Sequence, residues 1–63
     1  MKKSQASYDL KLIHKALERA SEHGLEPEVM WTAIKSYEKF HKTAPETYNL
    51  EWALEVALNE WDI

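Results

Sequence analysis

Gly24, Pro27 and Pro45 are the only residues of this chain that resist helix outright, and they divide it into three stretches of helix-forming sequence. In the first, Leu10, Ile13, Leu17 and Ala20 recur at three- and four-residue steps, the spacing of one helical face. Ser7 is the expected N-cap, with Asp9 in the first turn, where the helix dipole favours negative charge. Gly24 can take the left-handed conformation that ends the helix, and Leu25 can then fold back on Ala20.

Pro27 suits the first position of the second helix, where its missing N–H would have had no intrahelical partner. Met30, Ala33, Ile34, Tyr37 and His41 then share a face, with Val29 and Phe40 on its flank. Pro45 disfavours helical geometry at Ala44 and breaks this helix. Asn49 is the expected N-cap of the third, with Glu51 in its first turn and Tyr48 placed to staple onto Ala53.

The expectation is an all-α fold, a compact three-helix bundle with helices near 8–23, 27–42 and 50–61. It forms a single domain over 1–63, with a short flexible arm at residues 1–6. The core is expected from Leu10, Ile13, Leu17, Met30, Ile34, Tyr37, Leu50, Leu54, Leu58 and Trp61. Such a core is marginal, because a chain of 63 residues buries only about 60% of the surface its unfolded form exposes. No cysteine is available to staple it. The chain has no signal-peptide h-region and no apolar run long enough to span a bilayer, so a cytoplasmic setting is expected, in a bacterial or phage-infected cell. Eight Lys and Arg against eleven Asp and Glu favour solubility without naming a partner.

The informative feature is an apolar surplus. On the third helix Leu50, Ala53, Leu54, Ala57, Leu58 and Trp61 form the expected core stripe, while Glu51, Glu55, Asn59 and Asp62 form a polar strip. Trp52, Val56 and Ile63 fall nearly opposite that core stripe. Leu12, beside Ala16, stands off the main face of the first helix, and Trp31 off that of the second. In a bundle each helix touches two neighbours, so a wide apolar arc accounts equally well for Leu12 and Trp31. It accounts less well for the ridge of Trp52, Val56 and Ile63, and aromatic anchors are enriched in protein interfaces. The ridge is therefore expected to meet a protein partner or a second copy, with a dimer centred on Trp52 favoured. The competing expectation is that the 43–48 loop, or the N-terminal arm, folds over the ridge and hides it.

Chemistry is not expected. His14 and Glu18, or Glu38 and His41, have metal-compatible spacing, but two ligands do not close a zinc site, and a half-buried, hydrogen-bonded His is the common case. The aligned carboxylates of Glu51, Glu55 and Asp62 read as a solvated face, since nothing nearby would raise one pKa selectively. A single glycine excludes a phosphate-cradling loop. No catalytic residue, metal or cofactor is assigned. The alternative reading is a small nucleic-acid-binding or regulatory domain that uses Lys35, Lys39 and Lys42, a basic strip on the second helix interrupted by Glu38. Against it, the third helix would present acidic residues to the phosphates, and the 42–49 loop is longer than a helix-turn-helix allows.

The closing run WALEVALNEWDI, and EHGLEPEVMW around the start of the second helix, resemble short uncharacterised helical proteins of bacteriophages and mobile elements. That resemblance implies a viral setting and a small interaction module, and it carries no functional residue with it.

Overall fold

The structure, a computed structural model, describes the backbone of residues 3–63 and the side chains from Ser7 onward. It is an all-α three-helix bundle: α1 (Lys3–Ser21), α2 (Glu26–Phe40) and α3 (Leu50–Glu60). Among the described residues there is no strand.

α1 begins earlier than its expected cap. Ser7 lies inside the helix, so of the expected arm residues 3–6 are helical and residues 1–2 fall outside the described residues. The physical reason is that neither Gly nor Pro stands before Gly24, and a serine in a helix interior costs only a few tenths of a kcal/mol, too little to stop propagation. The other end behaves as expected. Gly24 sits at φ +67, its N–H bonds the Ser21 carbonyl at 3.2 Å, and the Leu25 N–H reaches the Ala20 carbonyl at 2.9 Å. This is the Schellman pattern, in which two orphan carbonyls of the last turn gain donors. Leu25 then accepts the Val29 N–H at 2.9 Å, so one residue closes α1 and opens α2.

The second connection is longer and carries its own bonds. The Thr47 and Tyr48 N–H groups both bond the Ala44 carbonyl, at 3.0 and 2.8 Å. Asn49 caps α3 as expected, its side-chain oxygen accepting the Trp52 N–H at 2.9 Å. α3 ends in a second Schellman motif that the sequence reading did not anticipate. Asp62 takes φ 58, its N–H bonds the Asn59 carbonyl at 3.0 Å, and the Ile63 N–H bonds the Leu58 carbonyl at 2.9 Å. A non-glycine residue there bears a Cβ penalty that a short polar side chain such as Asp partly relieves.

The buried core is small and consists largely of alanine: Ala16, Ala20, Val29, Ala33, Ala53, Leu54 and Ala57. Of the expected core, Leu54 is fully buried, whereas Ile13, Met30, Tyr37, Leu50 and Leu58 pack half-buried around it, and Leu17 is half-buried as well. Three expected members are exposed: Leu10 at 66%, Ile34 at 53% and Trp61 at 39%. For Leu10 and Ile34 the cause is the same, while Trp61 stands at the C-cap of α3, past its last helical residue. Centring each stripe on its largest apolar residues placed the inward face of α1 and α2 about 60° from where the alanines put it, at 100° per residue. Alanine admits close approach between helices, and the bulky side chains are displaced to the flanks.

The consequence is a thin molecule, with Cα extents of 31 × 25 × 14 Å. Its accessible surface is 4858 Å². Folded monomers of this mass expose about 4,200 Å².

Candidate interaction surface

The ridge of Trp52, Val56 and Ile63 does not stand clear of the fold, and the expectation of a bare apolar surface there is corrected. Trp52 meets Tyr48 edge-on with ring centroids 4.7 Å apart and Phe40 at 5.6 Å, and Phe40 and Tyr48 lie 5.5 Å from each other. Three rings thus close the end of the molecule where α2 passes into the loop, in tilted arrangements that suit aromatic quadrupoles. Val56 is half-buried, and Ile63, drawn back by the α3 cap, packs against the core. The loop thus covers the Trp52 end of the ridge through Tyr48, and all three ridge residues stay half-buried.

His41 holds that loop in place. Its Nδ1 lies 3.0 Å from the Tyr48 carbonyl oxygen, which can only accept, so Nδ1 carries the proton. Nε2 is then free to accept the Tyr37 hydroxyl at 3.3 Å, and the two rings stack at 4.3 Å. His41 is a loop anchor, half-buried and hydrogen-bonded.

Leu12 follows the wide-arc reading: it packs half-buried against the core beside buried Ala16. With Ala16, Leu54 and Leu58 it forms the apolar floor of a groove of about 290 Å³ between α1 and α3, whose charged lining is Lys15, Arg19, Glu51 and Glu55.

Trp31 remains as expected, off the main face of α2 and 62% exposed. Ile34, three residues on, joins it on the outer side of α2. Beside them a groove of about 350 Å³ runs between α2 and α3, lined by Met30, Ala33, Ile34, Tyr37, Leu50 and Leu54, with Glu38 the single charge in its lining. Ile34 lines this groove, and Trp31 stands three residues before it on the same exposed side of α2. Sequence reasoning found Trp31 but assigned Ile34 to the core; the signal that would have separated them is the line of small residues, Val29 and Ala33, that marks the true inner face.

Trp61 is not idle despite its exposure. Its indole N–H donates to the Thr32 hydroxyl oxygen at 2.8 Å, and that hydroxyl donates to the Glu28 carbonyl at 3.0 Å. The end of α3 is thereby tied to the middle of α2.

The charged groups are spread over the surface. Lys35, Lys39 and Lys42 are exposed, and the Lys39 ammonium lies 5.4 Å from the centre of the Phe40 ring. Glu51 and Glu55 are exposed, and the Tyr8 hydroxyl approaches Glu51 at 3.5 Å. His14 and Glu18 approach at 3.5 Å on the open side of α1. Among the described residues no three His, Cys, Asp or Glu side chains converge on a common point, and no helix is long and apolar enough to cross a membrane.

No family model matches this sequence, and no curated protein or solved structure matches it either.

Proposed function

We propose that this protein is a small non-enzymatic protein–protein interaction module that docks through the outer face of α2. The observation that carries this reading is Trp31, a 62% exposed indole beside exposed Ile34 and an apolar groove. Trp is among the residues most enriched at interface hot spots, because it combines large apolar area with few rotatable bonds. The partner class we propose is a host or virion protein, within the cytoplasm of a bacterial or phage-infected cell, the setting that the resemblance of the closing run implies.

A photo-crosslinking residue at position 31, compared with the same residue at His14 on the open side of α1, tests the reading in cells. Protein adducts from position 31 and none from position 14 are expected. Equal adducts from both would remove the assignment. Retention on heparin that disappears in a Lys35→Gln, Lys39→Gln, Lys42→Gln variant would favour the nucleic-acid reading instead.

A further inference from the structure

The groove between α1 and α3 sorts its charges by wall. Lys15 and Arg19 stand on the α1 side and Glu51 and Glu55 on the α3 side, with Leu12 and Leu58 in the floor between them. All four charged residues line the same cavity, and all four are exposed. The walls do not neutralise each other. Among the described residues the side chains of Lys15, Arg19 and Glu55 take part in no hydrogen bond or ion pair, and the Glu51 carboxylate meets the Tyr8 hydroxyl alone, at 3.5 Å. No cation reaches a carboxylate across the gap, and Leu12 and Leu58 stay half-buried beneath it.

A surface lysine or glutamate is ordinarily satisfied by water, so these charges alone select nothing. Together with the floor they state what can lie in the groove. The floor has no polar side chain. An extended segment would bring backbone N–H and C=O groups that leucine and alanine cannot bond, whereas a helix brings its own bonds with it. The room suits a helix as well. A second hollow shares Leu12 and Glu51 with the groove, and a third shares Arg19, Glu55 and Leu58. From Tyr8 to Arg19 the three follow α1 for roughly 16 Å, about three helical turns. The edges of the occupant follow by complementarity: carboxylates where it meets Lys15 and Arg19, cations where it meets Glu51 and Glu55. A helix with like charges along both edges is repelled by one wall in either direction.

We propose that the groove between α1 and α3 receives an amphipathic helix of another protein, its apolar stripe bordered by carboxylates on one edge and by Lys or Arg on the other. The same charge order fixes the direction of that helix, since turning it end for end exchanges its edges. This site is separate from Trp31 and Ile34, and crosslinking at position 31 does not bear on it.

Three labelled peptides of about 16 residues, held helical by a lactam bridge on the outer side, test this by fluorescence anisotropy against the full chain. All carry the same leucine stripe. One has glutamates on one edge and lysines on the other, one has glutamates on both edges, and one has lysines on both. The mixed peptide should bind at least about fivefold more tightly than either uniform one, by a margin that shrinks at high salt. Lys15→Glu with Arg19→Glu makes both walls acidic and should transfer the preference to the lysine peptide. Glu51→Lys with Glu55→Lys should transfer it to the glutamate peptide. Melting curves check that each variant is folded, and either pair suffices if the other melts early. Lys35→Glu with Lys42→Glu makes the same change in net charge on α2 and should leave the preference as it was. Equal binding of the three peptides, or no binding, overturns the proposal. So does a preference that the wall variants leave unmoved, or that the α2 variant moves as far. Sedimentation showing that the pure protein dimerises, and that Lys15→Glu with Arg19→Glu abolishes the dimer, would replace the partner helix with a second copy.

Discussion

The two ends of α2 are joined to their neighbours in different ways, and the joints decide which tryptophan is covered. At its start, α1 passes into α2 through the four residues 22–25, which the bonds of Gly24 and Leu25 to the last turn of α1 hold close to the helix end. At its far end the connection to α3 is long enough to return Tyr48 over Trp52, where Phe40 meets both, while His41 holds the Tyr48 carbonyl. Trp52 is therefore half-buried and Trp31 bare, although both stand off the alanine-lined face of their helix. Cover for an off-face aromatic comes from loop length more than from the helix that bears it.

The sharpest way to break this comparison is Trp52→Ala against Trp31→Ala, melted in dilute solution. The first should lose about 3 kcal/mol, as truncation of a packed aromatic does, and the second should stay within about 0.5 kcal/mol. A chain of this length has roughly 3–9 kcal/mol in total, so the Trp52 variant should melt far earlier. Equal losses would mean that the two sites are alike.

Next in size is the alanine seam. Ala57→Leu inserts a branched side chain at a fully buried position and should cost about 2 kcal/mol through overpacking, whereas Ile34→Leu on the exposed face should change little. If Ala57→Leu were tolerated without loss, close approach along the alanine seam would not be what sets the spacing of the helices.

The two helix caps offer smaller and opposite effects. Gly24→Ala should cost about 1 kcal/mol. A Cβ there would meet nothing within 4 Å, so the loss is one of backbone conformation alone. Asp62→Gly should raise stability by about 0.5 kcal/mol, relief of the left-handed strain being partly offset by a more flexible unfolded chain. Urea titration of both variants checks the signs. An Asp62→Gly variant less stable than its parent would show that the aspartate contributes more than its backbone angle costs.

Much of the fold was legible from local chemistry. Gly24 and Asn49 fix their caps through geometry that a short segment determines by itself, whereas the prolines only bracket α2: it starts one residue before Pro27 and ends at Phe40, five residues before Pro45. What was not legible required knowing which neighbour each helix meets. Leu10 and Ile34 recur at helical spacing and would serve a core as well as Ala16 or Ala33; only the distance between helices rules them out. The candidate surface failed for the same reason in part. Trp31 could be read from its angle, but Trp52 and Leu12 depend on a loop and a neighbouring helix that periodicity does not describe. The Asp62 cap left no signal, since aspartate is common in positions that do not turn left-handed.

The alanine core also has a calorimetric consequence. Alanine has no side-chain rotamers to freeze, so each buried position is gained without that entropic cost, but it removes little apolar area from water. Unfolding this protein should therefore expose less new apolar surface per residue than is usual. Its heat-capacity increment should fall below the common ~12–15 cal/mol/K per residue. The stability curve is then flat across ordinary temperatures. With an unfolding enthalpy of only about 40 kcal/mol for a chain this short, the melt is spread over tens of degrees. Well below the midpoint a measurable fraction of molecules is already open.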